Sequence, residues 1–170
     1  SQLRQTEAWA VWGFGVLQNG SAYDAAFLER QGRHAEAEPK RRTALSYAEK
    51  DYELKIQHYG AGHQYARGAA RSLAVVRRSL ARNLATQGKY GEAEILARQG
   101  FQDVLAMSAF STTVVGSALG VVGLTRFQQG DLAGAEKYYR YALAAVESSG
   151  VARHSTNLAA RRAALANAQL

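Results

Sequence analysis

The sequence contains no cysteine, one proline and one methionine in 170 residues. Without cysteine there is no disulfide framework, thiolate zinc site, iron–sulfur cluster or cysteine nucleophile. The cytoplasm and the periplasm both accept such a chain. With so little proline, almost nothing interrupts a helix. Valines are sparse and gather at Val114, Val115, Val121 and Val122, which argues against a β-sandwich. Acid is short as well, with 14 Asp+Glu against 21 Lys+Arg and a formal charge of +7. That excess admits nucleic acid, an anionic surface or an acidic peptide as a partner, and equally an ordinary basic fragment of a larger protein.

Long apolar runs are also scarce. Ala8–Leu17 is apolar but falls short of the roughly 20 residues that cross a bilayer. Val104–Thr125 carries no charge, yet it holds Ser108, Ser111, Thr112, Thr113 and Ser117 with Gly116, Gly120 and Gly123. The cluster Ser111-Thr112-Thr113 is expected to form a turn and N-cap between two buried helices rather than the middle of a membrane span.

What is abundant is alanine, at 33 residues. Alanine loses least on entering a helix, so the composition favours an all-α fold. The length fits about one domain and is sufficient for a core without staples.

Three segments align with one another: Gly32–Glu38 (GRHAEAE), Gly88–Glu94 (GKYGEAE) and Gly130–Glu136 (GDLAGAE). In each, glycine supplies the left-handed residue that ends one helix. The alanine five places on (Ala37, Ala93, Ala135) lets the next helix approach closely. The predicted unit is an antiparallel helical hairpin, which buries its apolar face only by stacking on further copies. Gly88 and Gly130 are 42 residues apart, while Gly32 and Gly88 are 56 apart. Two inserted heptads account for the 14 extra residues, one in each arm, because seven residues scarcely rotate a helix face. Gly60-Ala61-Gly62 then marks the tip.

These motifs resemble the tetratricopeptide repeat, in the longer 42-residue form of kinesin light chains and bacterial multi-repeat proteins. Gly32–Pro39 (GRHAEAEP), Tyr59–His63 (YGAGH) and either Ser72-Leu73-Ala74 or Ser79-Leu80-Ala81 carry the resemblance. Gln64 stands where that pattern has proline, and Arg77-Arg78 precede Ser79 in place of paired asparagines. The resemblance covers about residues 20–170. It implies a right-handed superhelical array of antiparallel hairpins, a TPR-like solenoid, with residues 1–19 as a lead-in capping helix. Expected helices are about 2–17, 20–31, 34–58, 64–87, 90–107, 112–129, 132–149 and 153–169. The next turn would fall at 172, so the sequence reads as part of a longer array.

No convergent set of acid, base and nucleophile is evident. His58 and His63 flank the tip without a third ligand nearby, and His34 and His154 stand apart, so no metal or other cofactor is expected. Glu36, Glu38, Glu92 and Glu94 fall in first turns of helices, where the dipole favours them. Arg67, Arg71, Arg78 and Arg82 fall within an arc of about 60° on one helix, opposite Leu73, Val76, Leu80 and Leu84. Arg77 lies awkwardly on the apolar side and should snorkel or meet a carboxylate. The aromatic lead-in Trp9, Trp12, Phe14 and Leu17 is expected to cap the first hairpin, with docking of another chain as the alternative, and the tyrosines Tyr138, Tyr139 and Tyr141 to pack between helices.

In the family the first helix of each repeat lines a concave groove. That implies groove positions at Arg71, Arg78 and Arg82, at Leu124 and Phe127, and at Arg162. Guanidinium forks there would grip carboxylates. The expected function is a non-catalytic scaffold that binds a protein or peptide partner, acidic in character. An alternative is a regulatory or sensor region of a larger bacterial enzyme, such as a caspase-like peptidase. Nucleic acid is the remaining alternative, although the arginine stripe lacks interleaved aromatics. Exposed array ends would also offer a route to oligomers.

Overall fold

A computed structural model describes residues 2–106, 112–148 and 156–169, with the side chains of 12–103, 115–147 and 163–169. Among these residues there are seven helices and no strand. They are α1 (Gln2–Arg30), α2 (His34–Tyr59), α3 (Gln64–Thr86), α4 (Tyr90–Ala106), α5 (Thr112–Gln128), α6 (Leu132–Ser148) and α7 (Thr156–Gln169). Each packs against the next, and α3 also touches α5 as α5 touches α7. The expected turn at Ser111, the turn at Ser149-Gly150 and His154 lie outside the described residues.

The three aligned motifs form three nearly identical turns. Gly32, Gly88 and Gly130 have φ of +75°, +79° and +80°, a region open to glycine and costly for other residues. In each turn the glycine N–H bonds a carbonyl three residues back: Gly32 to Glu29, Gly88 to Ala85 and Gly130 to Phe127, all at 3.0 Å. The following N–H reaches five back: Arg33 to Leu28, Lys89 to Leu84 and Asp131 to Arg126, at 2.9–3.0 Å. This is the Schellman arrangement, which satisfies carbonyls that a helix end would otherwise leave unbonded.

The residues around each turn are small where the arms meet. Ala37, Ala93 and Ala135, five places past each glycine, are fully buried. Seven places before it stand Ala25, Ala81 and Gly123, and twelve past it Ala44, Gly100 and Ala142, all buried. The core is therefore strung along the stack. One cluster joins α3, α4 and α5 through Leu80, Leu84, Leu96, Val121 and Val122. A second joins Ala44 and Ala48 of α2 to Leu73 and Val76 of α3.

The extra length divides between two arms, as expected. Helices α2 and α3 have 26 and 23 residues, against 17 in each of α4, α5 and α6. Gly60 turns the chain at their tip with φ +82°. The only proline, Pro39, lies inside α2. It forgoes the bond its position would make to the Ala35 carbonyl, on an exposed turn where water can replace it.

One boundary differs from expectation. A break between residues 17 and 20 was predicted, but α1 runs unbroken from Gln2 to Arg30. Asn19-Gly20 is a weak helix sequence, and propensity is readily overridden by packing along the whole arm. The long uncharged run is split between α4 and α5, and no helix among the described residues is long and apolar enough to cross a membrane.

The α5–α6 seam depends on absent side chains. A Cβ on Gly116 would lie 2.7 Å from Val146 Cγ2 and 2.8 Å from the Ala142 carbonyl oxygen, whereas Gly20 meets nothing within 4 Å. Gly116→Ala should therefore destabilise the fold by about 1–3 kcal/mol, because backbone on the facing helix cannot yield cheaply. Gly20→Ala should instead stabilise it by about 0.5–1 kcal/mol through helix propensity. Urea unfolding followed by circular dichroism checks both; equal effects would contradict this account of the seam.

Candidate functional site

The charges of the turns build joints between hairpins. Each second helix carries a glutamate six residues past the turn glycine and an arginine four further on. The pairs are Glu38–Arg42 (2.8 Å), Glu94–Arg98 (2.8 Å) and Glu136–Arg140 (2.5 Å). The same glutamate also accepts from a later element: Glu38 from Lys89 (2.5 Å), Glu94 from Arg126 of α5 (2.6 Å) and Glu136 from Gln169 of α7 (3.1 Å). Arg42 continues the first joint to Glu92 of α4 at 2.8 and 2.9 Å. The hydrogen bond from Lys89 holds the Glu38 carboxyl down to about 2, against the opposing effect of burial and with help from Arg42 and Gln87. Glu36, the remaining first-turn acid of α2, pairs with Arg33 at 2.5 Å.

Arg77 takes the second of its two expected solutions. It reaches Asp103 of α4 at 2.6 Å and Glu49 of α2 at 3.2 Å, spanning three helices. Arg33, Arg41, Arg42, Arg77, Arg98, Arg126 and Arg140 thus all hold carboxylates. Arg67, Arg71 and Arg82 have no side-chain partner among the described residues, and all three are exposed on one stripe of α3. Three guanidiniums without a carboxylate among the described residues therefore share this stripe.

A groove runs between α1 and α3. Its broader part encloses about 500 Å³ and is lined by Gln18, Asn19, Ala22 and Tyr23 of α1 and by Gly68, Arg71, Ser72, Val75 and Ser79 of α3. Past Ala26 and Arg41 it continues into a pocket of about 370 Å³ walled by Glu29, Arg30, His34, Arg82, Asn83 and Thr86. The floor is hydrogen-bonded. Gln18 Nε2 donates to Ser72 Oγ at 2.8 Å, and Ser72 Oγ donates back to Gln18 Oε1 at 3.1 Å. Arg41 forks onto Glu29 at 3.0 and 2.5 Å. The buried Asn83 donates to Glu29 Oε1 (2.9 Å) and to the His34 carbonyl (3.1 Å). Burial alone would raise the Glu29 carboxyl; the bonds from Arg41 and Asn83 outweigh it, and the group is lowered. An apolar wall accompanies the charges, with Tyr23 75% exposed and Val75 at the rim.

Of the residues expected in a groove, the structure brings together Arg71 and Arg82. Arg78, on the same helix, is half-buried and has a partner of its own. Leu124 and Phe127 lie on α5, away from the α1–α3 groove. Phe127 packs against Ala135, Tyr139 and Ala168 of α6 and α7. Arg162 lies on α7, and its side chain is outside the described residues, as is that of Trp9. Gln18, Tyr23, Arg30, Ser72 and Val75 were not anticipated. The spacing of Gln18, Ala22, Ala25 and Glu29 marks one helix face, but only if α1 is read through Asn19-Gly20.

The histidines at the tip serve local structure. His63 caps α3, its Nδ1 accepting from the Tyr65 amide at 3.2 Å, and its ring stacks on Tyr59 at 4.9 Å. No group of three or more metal-ligating side chains occurs among the described residues. The aromatic lead-in packs partly, with Phe14 against Tyr47 and Trp12 edge-on to Tyr65. Tyr139 is buried and Tyr138 packs on the core, while Tyr141 is exposed.

Fold and site together define a class: an all-α chain of repeated helical hairpins with a charged groove between its first and third helices. No protein-family model matches the sequence, and no curated protein matches it.

The Glu38 joint predicts a pH dependence. A carboxyl depressed from 4.5 to about 2 on folding contributes stability that is fully present above pH 4.5 and lost as pH falls towards 2. Glu38→Gln should cost about 1–2 kcal/mol at pH 7. The gap between wild type and variant should close as pH approaches 2. Denaturant unfolding at pH 7, 4 and 2.5 measures it, and a gap independent of pH would refute the joint's electrostatic origin.

Proposed function

We propose that the chain is a TPR-like scaffold whose hairpins form a right-handed superhelix, and that its α1–α3 groove binds a peptide or protein partner of acidic character. First helices touch one another, α3 with α5 and α5 with α7. This supports placing them on the inner side of a curved stack. The recurring turns support the same reading, since each copy repeats one geometry.

The observation that carries the function is the placement of unpaired guanidiniums. Arg71 and Arg82, neither paired with a carboxylate among the described residues, line two adjoining pockets, and the exposed Tyr23 and Val75 line the one that holds Arg71. A guanidinium presents a planar donor fork suited to carboxylates. An exposed tyrosine adds rigid contact area at low entropic cost. An extended acidic segment satisfies both, and the scaffold needs no chemistry of its own to hold it.

Fluorescence anisotropy with labelled extended peptides tests this reading. Peptides bearing aspartate and glutamate should bind at least about tenfold more tightly than asparagine and glutamine counterparts. The double variant Arg71→Glu, Tyr23→Ala should lose that binding while its circular dichroism spectrum stays unchanged, since both side chains are exposed. Equal binding of acidic and neutral peptides, or binding that survives the double variant, would sink the proposal.

A further inference from the structure

The narrow end of the groove is chemically different from the rest. Arg30 and Arg82 face it from α1 and α3, with His34 at the start of α2. Arg30 spends its Nε on the Ala26 carbonyl at 3.2 Å, which leaves its terminal nitrogens available. Arg82 has no side-chain partner among the described residues. The Nδ1 of His34 is buried with no hydrogen-bond partner. Its backbone carbonyl is meanwhile fixed by Asn83 at 3.1 Å.

The obvious local acceptor is already committed. Glu29 Oε1 takes both Arg41 Nε and Asn83 Nδ2, and Oε2 takes Arg41 Nη2. The pocket therefore holds three guanidiniums against one carboxylate, leaving two positive charges, and a buried ring nitrogen that lacks a partner. A buried polar atom left unbonded is costly. The His34 imidazole lines this pocket beside the two guanidiniums, where it can donate to an acceptor-rich ligand. A carboxylate brings one negative charge. A phosphoryl group brings nearly two, with three strong acceptor oxygens.

We propose that this pocket binds a phosphoryl group, held by Arg30 and Arg82 and by a hydrogen bond from His34. The pocket volume of about 370 Å³ exceeds what a phosphate fills, leaving room for the side chain that would carry it. The group is either the phosphorylated residue of a peptide lying in the groove, which rests on the reading above, or free phosphate.

NMR titration of the full chain separates the possibilities. Inorganic phosphate alone should shift the His34 ring resonances saturably. Arg82→Gln should weaken that binding at least about tenfold, whereas Arg67→Gln should change it less than about twofold. Arg67 is the control, because it is an unpaired arginine on the same stripe that lines neither pocket. No saturable shift at His34, or equal weakening by the two substitutions, overturns the proposal.

Matched peptides with phosphoserine or serine then assign the source. A phosphoserine preference of about tenfold or more that is lost in Arg82→Gln places the group on a peptide. Equal peptide binding, with phosphate still seated at His34, assigns the pocket to free phosphate. Acidic peptides that bind through Tyr23 and Arg71 while phosphate fails would remove the pocket and leave the groove. Phosphate binding without any acidic-peptide binding would do the reverse.

Discussion

A left-handed glycine at the end of a first helix sets the geometry on which the other contacts depend. With φ near +80° at Gly32, Gly88 and Gly130, the chain reverses in a few residues and its last carbonyls are satisfied by the turn. The second helix then starts at a fixed place and angle. Only from that start does the residue five places on face the partner arm, and only an alanine there keeps the arms close. Any other residue at the glycine would strain the backbone by about 1 kcal/mol or more. It would also shift every later contact in that hairpin.

The Ala-Glu pair in each motif divides two tasks between adjacent positions. The alanine faces inward and closes the hairpin. The glutamate, one residue on and about 100° round the helix, faces the next element and receives Lys89, Arg126 or Gln169. Exposed ion pairs are individually weak, so the core clusters carry most of the stability. The joints instead fix how one hairpin sits on the next. Arg67, Arg71 and Arg82 stand outside these joints, without a carboxylate among the described residues, on one stripe of α3.

Much of this was legible in the sequence because it is local. Turn glycines, buried alanines and the division of 14 extra residues between two arms follow from spacing and helix geometry alone. The charge on α3 was visible for the same reason. The other wall of the groove was not. The expected helices end at 17 and resume at 20, and breaking α1 there separates Gln18 from Ala22 and Glu29, hiding the face they share. Phe127 matched a groove position by register, yet register cannot reveal that Tyr139 and Ala168 pack against it. Arg77 showed the limit most directly. Its misfit with the apolar face was evident, but its partners lie on α2 and α4, separated from it by 28 and 26 residues.

The groove lies between the first helices of two successive hairpins, and it is held differently from the seam inside one hairpin. Where α5 meets α6, Gly116 and Gly123 remove side chains at the crossing. Val146, the Ala142 carbonyl and the Tyr139 ring move into the space, and the seam closes. Where α1 meets α3, the facing residues are Gln18, Tyr23 and Glu29 against Ser72, Val75 and Asn83. The Gln18–Ser72 pair exchanges two hydrogen bonds, which holds the helices at a side-chain distance rather than a backbone distance. A buried polar pair contributes little net stability, but parting it exposes two unsatisfied groups, so the spacing is stiff. Small residues thus seal the seam inside each hairpin, while polar side chains between the first helices α1 and α3 hold an open, charged groove.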